Sequence, residues 1–317
     1  MTGFIIRNIV QKLFTLFVIS VLSFLILHLA PGDPAQIDPM NPAITSDVVE
    51  RLRESFDLDK PLPVQYVLFY QRLFTGRLTS WKDGRPVLES IWERFLNSLP
   101  LFITGTLLTW TLAFPTGIRA AVKRGGKYDR TTTFIAYFLI SIPGFFLAYI
   151  LIIVVVNVLQ VPVIGMRTHG LTGLPAVMNR VWHLVLPSVL SATAGIAILS
   201  RYVRSQMLEV ESQDYIRTAR AKGLSEDVVH YKHALRNAMM PFVTMFGMLL
   251  PGLIGGSVII ERIFAWPGMG RLAYDALLAR DIPVILSLNF IGAILVVTGT
   301  LVSDILCAIV DPRVSYE

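Results

Sequence analysis

The polar stretch from Glu209 to Pro241, called here the 209–241 segment, carries the residues best suited to binding chemistry. It is the longest polar run between two apolar segments in the C-terminal half, and its pattern predicts two short helices separated by Gly223. Asp214 is a candidate cap for the first helix and Ser225 for the second. Such a segment could be a plain loop lying on lipid headgroups, or a surface that binds a partner protein.

Motifs for covalent or phosphate chemistry are missing from the sequence. The Gly126-Lys127 pair is followed by Tyr128, where a nucleotide-binding loop needs Ser or Thr, and Ala121 stands at the upstream glycine position. The single cysteine, Cys307, excludes an intrachain disulfide, and no His/Cys cluster has metal-ligand spacing. We therefore expect a chain that is not an enzyme and holds no metal or cofactor.

The composition is that of a membrane protein. The chain has 317 residues, of which 54% are hydrophobic and 16% charged, and its mean hydropathy is +0.61. These values are too apolar for a soluble globular protein of this length. The net charge of +6 would suggest nucleic acid in a soluble protein. Here the basic residues lie beside apolar segments, which indicates membrane topology and no nucleic-acid partner.

Six segments are apolar enough to cross a membrane as helices, a task that requires roughly 20 residues each. The first is longer than the roughly 7–15 apolar residues of a signal peptide, so we expect it to be retained. The third is interrupted by Pro143-Gly144. The predicted fold class is an all-α polytopic membrane protein with six transmembrane helices at Phe4–Ala30, Asn97–Ala121, Thr131–Leu159, Trp182–Ser200, Pro241–Ile260 and Pro283–Val310.

The long polar region at residues 31–98 predicts a helical subdomain folded onto the membrane part. Short helices are expected at Asp47–Phe56, Pro61–Phe74 and Pro86–Phe95, with a turn at Lys82–Arg85. Shorter loops are expected at residues 160–181 and 261–281.

Charge predicts the topology. The loops around Lys123 and Lys222 lie on the same side as the N-terminus and are rich in Lys and Arg, so both termini are expected in the cytoplasm. The predicted division is a first transmembrane helix at 1–30, an extracytoplasmic subdomain at 31–98, a five-helix membrane core at 99–310 with a cytoplasmic loop at 206–240, and a cytoplasmic tail at 311–317.

Small residues and proline are concentrated in the fifth apolar segment. Backbone groups freed by Pro251, Gly252, Gly255 and Gly256 must be satisfied by protein or a wet cavity. The segment could be a tightly packed helix crossing, or a kinked helix that lines a substrate path.

Two ionisable residues in apolar runs leave similar alternatives open. Asp304 could be functional or could pair with a nearby arginine. His28 could bind a proton or ligand, or could be a structural residue at the membrane interface.

The sequence of the 209–241 segment resembles that of a known family. Residues 218–224 (TARAKGL), residues 234–238 (ALRNA) and Pro241 resemble the cytoplasmic coupling loop of ATP-binding-cassette (ABC) importer permeases, most closely the dipeptide and oligopeptide branch. The broad family signature begins Glu-Ala-Ala, where this chain has Arg217 and Thr218 before Ala219. Its Ile and Pro positions fall on His233 and Arg236, and these departures resemble the peptide-importer version.

Further stretches extend the resemblance nearly end to end. Leu29–Pro34 is typical of the first permease of peptide importers, and Ile198–Leu224 is the strongest match. Residues 255–258 (GGSV), Glu261 and residues 264–268 (FAWPG) are characteristic of peptide-type permeases. Residues 76–79 (GRLT) depart from the Gly-Asp-Leu-Gly that relatives often carry, which puts local detail of the subdomain in doubt.

The resemblance implies roles for two groups of residues. Residues expected to couple the chain to an ATPase are Tyr215, Thr218, Ala219, Ala221, Lys222, Gly223, Leu224, Leu235 and Arg236. Candidates for the translocation path are Pro251, Gly252, Gly255, Gly256, Ser257 and Glu261.

The resemblance also implies partners, a fold and a function. It implies a type I ABC importer permease in the cytoplasmic (inner) membrane, paired with a second, similar permease in a heterodimer, two ATPase subunits that bind ATP and Mg²⁺, and an extracytoplasmic substrate-binding protein. Membrane lipid surrounds it. The expected substrates are dipeptides and oligopeptides; nickel chelates, glutathione and sugars are alternatives within the same architecture. A stand-alone channel, an ion-coupled secondary transporter and a membrane sensor or scaffold are the competing classes.

Overall fold

Helices make up nearly all of the structure, a computed structural model that describes residues 2–29, 50, 53, 54, 56–168, 170–255 and 258–310. An isolated antiparallel bridge joins Thr79 and Pro86. A π-helical turn lies at Val228–Ala234. The α-helices are α1 Thr2–Leu29, α2 Leu62–Phe74, α3 Val87–Val122, α4 Lys127–Ser141, α5 Gly144–Val158, α6 Gly173–Glu211, α7 Asp214–Ala221, α8 Leu235–Ala238, α9 Met240–Gly247, α10 Gly252–Gly255, α11 Val258–Ile263, α12 Met269–Leu278 and α13 Ile282–Val310.

Four described helices are long and apolar enough to cross a membrane, within α1, α3, α6 and α13. The pair α4 and α5 passes the same test together, but it is bent by 96° at the predicted Pro143-Gly144 interruption. The first and last predicted spans are confirmed as helices, and so is the predicted helix that ends before Gly76. The count of six spans stays a prediction.

The predicted span Pro241–Ile260, for which a kinked helix was one alternative, is not one continuous helix. The chain there forms α9, a turn at residues 248–251, then α10 and α11. Pro251 has no backbone N–H, and glycine costs about 1 kcal/mol in a helix interior, so neither supports a regular helix. Hydrogen bonds that span three residues, in place of the four of an α-helix, close the turn. Met248 N donates to Met245 O at 3.0 Å and Leu253 N to Leu250 O at 3.1 Å.

Three boundaries also differ from the sequence prediction. The separate helix predicted at Pro86–Phe95 is the first part of α3, which runs without a break to Val122. α6 begins at Gly173, inside the predicted loop 160–181, and α12 occupies much of the predicted loop 261–281. Apolar patterning marks where a helix meets hydrocarbon, and it does not mark where the helix ends. The Asp47–Phe56 helix falls mostly outside the described residues, and the domain division stays a prediction.

The described residues fall into two compact units. One lies within residues 1–96, 250–258 and 268–301, and the other within 97–249, 259–267 and 302–317. In the first unit, Ser80 Oγ and Trp81 N donate to the buried carboxylate of Asp281, which holds the turn before α3 against the start of α13. Its apolar core includes Phe24, Phe69, Leu73, Val87, Met269 and Leu286.

In the second unit, close packing of α3 against α6 positions the 209–241 segment. Gly117 lies so near α6 that a Cβ there would clash with the carbonyl oxygen of Ser200 and the side chain of Val203. At the same end of α6, Arg204 donates to both oxygens of Asp129, at 2.6 and 2.8 Å. Such a bidentate ion pair adds geometric specificity, so it fixes α4 against α6.

Candidate functional site

The first helix of the 209–241 segment is α7. It begins at Asp214, and Gln213 before it is extended, with φ −75° and ψ 149°. The predicted cap is therefore displaced by one residue: Asp214 is the first helical residue, and Gln213 holds the cap position without a side-chain hydrogen bond. The Asp214 carboxylate instead accepts from Arg217 at 3.2 Å. Both side chains are exposed, so this ion pair contributes little stability.

Gly223 ends α7 as predicted. Its φ is +77°, in the left-handed region that glycine adopts without a steric penalty. Gly223 N donates to Arg220 O at 2.9 Å and Leu224 N to Ala219 O at 3.4 Å, so the turn satisfies carbonyls at the helix end. A Cβ at Gly223 would meet no atom of this chain within 4 Å. The turn is therefore open on its outer side.

The second helix follows at once and changes its winding. Ser225 stands at the predicted cap position, and its carbonyl accepts from Val229 N at 3.0 Å. The chain then winds as a π-helix at Val228–Ala234 and returns to an α-helix at Leu235–Ala238. The predicted second helix is present, and its winding is π-helical at Val228–Ala234.

One face of both helices is buried against α3 and α6. Ile216, Val229 and Ala234 are completely buried, and Ala219 and Ala238 nearly so. Burying a side chain the size of Ile216 or Val229 contributes about 1.5–3 kcal/mol. The segment is thus anchored to the spans by packing. The side chains that receive it belong mainly to α3, α6 and α9 and include Ala113, Ala121, Leu199, Val203, Met207 and Phe242.

The opposite face is exposed and carries most of the predicted coupling residues. Ala219 is buried and Leu235 half-buried. The two helices are tied together on this face, because Asn237 Nδ2 donates to Tyr215 Oη at 2.9 Å. The structure therefore gathers a continuous surface from both helices and the glycine turn. Its exposed residues are Tyr215, Thr218, Ala221, Lys222, Gly223, Leu224 and Arg236.

The predicted path residues occupy varied positions. Pro251 ends the turn before α10, while Gly252 and Gly255 are the first and last residues of α10. Glu261, in α11, is 1% exposed and accepts from Ser98 Oγ at 2.7 Å. Gly256 and Ser257 lie outside the described residues. A path-lining role for any of them stays a prediction.

The two ionisable residues in apolar runs have different surroundings. The ring of His28 lies 2.8 Å from Phe24 O and 3.1 Å from Gln65 Oε1, and it stacks on the Phe24 ring. Both ring nitrogens thus lie beside protein groups, one in α1 and one in α2. Asp304 is half-buried in α13.

Charged groups beneath the exposed face were missed by the sequence analysis. His230 is buried, with Nδ1 2.7 Å from Glu211 Oε1 and Nε2 3.2 Å from Glu226 Oε2. Arg220 donates to Glu226 at 3.0 Å; this bond lowers the pKa of Glu226 and raises that of Arg220. The four-residue spacing of Glu226 and His230 was the one available signal. Within the described ranges, no group of His, Cys, Asp or Glu could hold a metal ion.

Comparison with known proteins identifies the family. Residues 113–316 match the model of the "binding-protein-dependent transport system inner membrane component", and residues 1–101 match the N-terminal model of these membrane components. The chain belongs to this family. It is a multi-pass inner-membrane permease, and the resemblance to ABC importer permeases of the dipeptide and oligopeptide branch is confirmed.

Full-length relatives and a solved structure agree with this assignment. The permease is 42% identical to the oligopeptide transport system permease protein AppB of Bacillus subtilis, with 100% of both chains covered. It is 38% identical to the glutathione transport system permease protein GsiC of Escherichia coli K12, again over 100% of both. A structure of the methionine ABC transporter MetNI shares the fold, with a TM-score of 0.52 at 20% identity over 72% of this chain and 99% of that one.

Proposed function

We propose that this permease forms half of the translocation path of an ATP-driven importer of dipeptides and oligopeptides. The observation that carries the proposal is its 42% identity, end to end, with an oligopeptide permease. The partners would be a second, similar permease in a heterodimer, two ATPase subunits and an extracytoplasmic binding protein. ATP and Mg²⁺ would be bound by the ATPase subunits, and this chain would supply no catalytic group.

The exposed face of the 209–241 segment is the proposed ATPase contact. The segment presents Tyr215, Lys222 and Leu224 outward, while the buried face of its helices packs on α3 and α6. A displacement of the segment would therefore act on both of these spans, α3 and α6. For ATP to drive transport, the ATPases must bind this face differently in their open and closed states, because equal binding shifts no equilibrium.

The proposed topology places both termini and the 209–241 segment in the cytoplasm. The basic loop between α3 and α4, with Lys123, Arg124 and Lys127, supports this orientation through the positive-inside rule. The subdomain at 31–98 would then face outward, where a binding protein could deliver substrate. Pro251, the small residues after it and Glu261 remain the proposed path candidates.

Glutathione is the second candidate substrate, because 38% identity over the full chain links the permease to a glutathione permease. Glutathione is itself a tripeptide with a γ-linked glutamate. Both substrates would present a peptide backbone and a free carboxylate to the path.

Co-purification from native membranes tests the proposal. We expect the tagged permease to bring down a second permease and ATPase chains, and the assembly in proteoliposomes to take up labelled tripeptides only with both ATP and the binding protein. Uptake of glutathione but not of trialanine would select the second substrate. Recovery of the permease alone, with uptake that needs no ATP, would overturn the proposal in favour of a channel or a secondary transporter.

A further inference from the structure

His230 is a buried histidine with a carboxylate at each ring nitrogen. Nδ1 lies 2.7 Å from Glu211 Oε1, and Nε2 lies 3.2 Å from Glu226 Oε2. A neutral imidazole has one N–H and could donate to only one of these carboxylates, whereas an imidazolium donates to both. The geometry therefore fits a protonated ring held between two acceptors.

The carboxylates connect different parts of the chain. Glu211 is the last residue of α6, one of the long membrane-spanning helices, and Glu226 begins the second helix of the 209–241 segment. Arg220, in α7, donates to Glu226 through hydrogen bonds of 3.0 to 3.3 Å, so α7 is connected to the same set of contacts. A continuous row of charged contacts thus joins the end of a span to both helices of the proposed ATPase contact.

The inner and outer parts of this row differ in exposure. The side chain of His230 is 10% exposed and that of Glu211 is 17% exposed, while Glu226 is 59% exposed. Water screens the outer Arg220–Glu226 pair, which therefore contributes little. The shielded His230–Glu211 pair acts in a lower dielectric and is the stronger link.

The π-helical turn brings His230 to this position. In an α-helix, neighbouring residues point in directions about 100° apart, yet Val229 and His230 are both buried here. The wider winding at Val228–Ala234 lets Val229 fill the apolar cluster while His230 faces the acidic end of α6. π-Helical turns are rare and often mark functional positions.

We propose that protonated His230 is a positioning residue that locks the 209–241 segment onto the end of α6, so that ATPase movement is transmitted to the spans. This inference rests on the proposed ATPase contact. The groups that face the ring are Glu211 from α6 and Glu226 from its own helix, with Arg220 behind the latter. Loss of the proton removes one of the two hydrogen bonds and loosens the lock.

The test compares wild type, His230→Gln and Glu211→Gln in proteoliposomes. His233→Gln is the matched control, because His233 lies in the same π-helical turn and its side chain has no hydrogen bond in the described structure. Three quantities are measured: the ATPase chains recovered, the ATP hydrolysed, and the labelled tripeptides taken up per ATP. Glu211→Gln keeps an acceptor for the ring and removes only the charge.

We expect both variants to recover the ATPases and to hydrolyse ATP, but to take up several-fold less tripeptide per ATP. His233→Gln should match wild type. The double variant should be no worse than either single one, because the two residues act as a unit.

Two results would overturn the inference. Uptake per ATP equal to wild type in both variants would remove the positioning role, and loss of ATPase recovery in both would assign the pair to folding instead. Failure of the proposed function looks different, because then the wild-type permease itself would recover no ATPase chain.

Discussion

Gly223→Ala separates backbone strain from loss of a partner contact. Gly223 has φ +77°, and a Cβ there would meet no atom of this chain within 4 Å. The substitution therefore adds only the cost of a left-handed alanine, about 1 kcal/mol. That cost is present with and without a bound ATPase, so by itself it leaves the affinity unchanged. Any loss of affinity must come from the partner side of the turn.

Gly76 provides a matched control. It follows α2 as Gly223 follows α7, its φ is +70°, and a Cβ there would also meet nothing within 4 Å. Gly76→Ala should lower the stability of the permease by the same amount and leave ATPase binding unchanged. If the ATPase packs against Gly223, an added methyl group there costs about 1–3 kcal/mol. That range corresponds to a rise of roughly 5- to 150-fold in the dissociation constant.

The assay is titration of purified ATPase subunits onto proteoliposomes of wild type, Gly223→Ala and Gly76→Ala, together with thermal unfolding of each permease. We expect similar unfolding temperatures for the two variants and weakened binding for Gly223→Ala alone. Equal affinity in all three would refute the docking of an ATPase on this turn. Equal weakening in both variants would show that the loss does not come from a contact at Gly223.

Two further predictions concern buried carboxylates outside the 209–241 segment. Asp129→Ala leaves the half-buried Arg204 guanidinium without its bidentate partner and should cost about 2 kcal/mol; the melting temperature of the purified permease measures this, and an unchanged temperature would contradict it. Ser80→Ala removes one donor from Asp281, for about 1–3 kcal/mol. Hydrogen exchange of the backbone around residue 80 should accelerate, and exchange equal to wild type would count against the contact.

Local signals in the sequence predicted local structure well. Gly223 lies at the end of a short polar helix, where a left-handed residue closes the turn, and the structure has that turn. α1 and α13 follow from uninterrupted apolar runs of sufficient length. Ile216 and Ala219, three residues apart on one helix face, are both buried. In each case the cause lies within a few residues of the effect.

Contacts between distant residues could not be predicted in the same way. Arg204 and Asp129 are 75 positions apart, and His230 and Glu211 are 19 apart. Neither pair has a spacing that a helix or turn would impose. The π-helical turn at Val228–Ala234 likewise has no signal in the sequence. The exposed face of the segment was predicted from a resemblance. The contacts of His230 with Glu211 and Glu226 beneath it are seen only in the structure.

Prolines have two different effects on helices in this chain: one interrupts a helical span, and three lie inside continuous helices. Pro143 follows Ile142 in extended conformation, with ψ 124°, and the chain bends there as the clash with a preceding residue predicts. Yet Pro100 and Pro115 lie inside α3, and Pro187 lies inside α6, without ending either helix. These three lie where α3 and α6 run together in one unit, and Pro187 is buried. Packing around the buried Pro187 offsets the lost hydrogen bond there, whereas Pro100 and Pro115 are exposed and α3 continues through both without such burial.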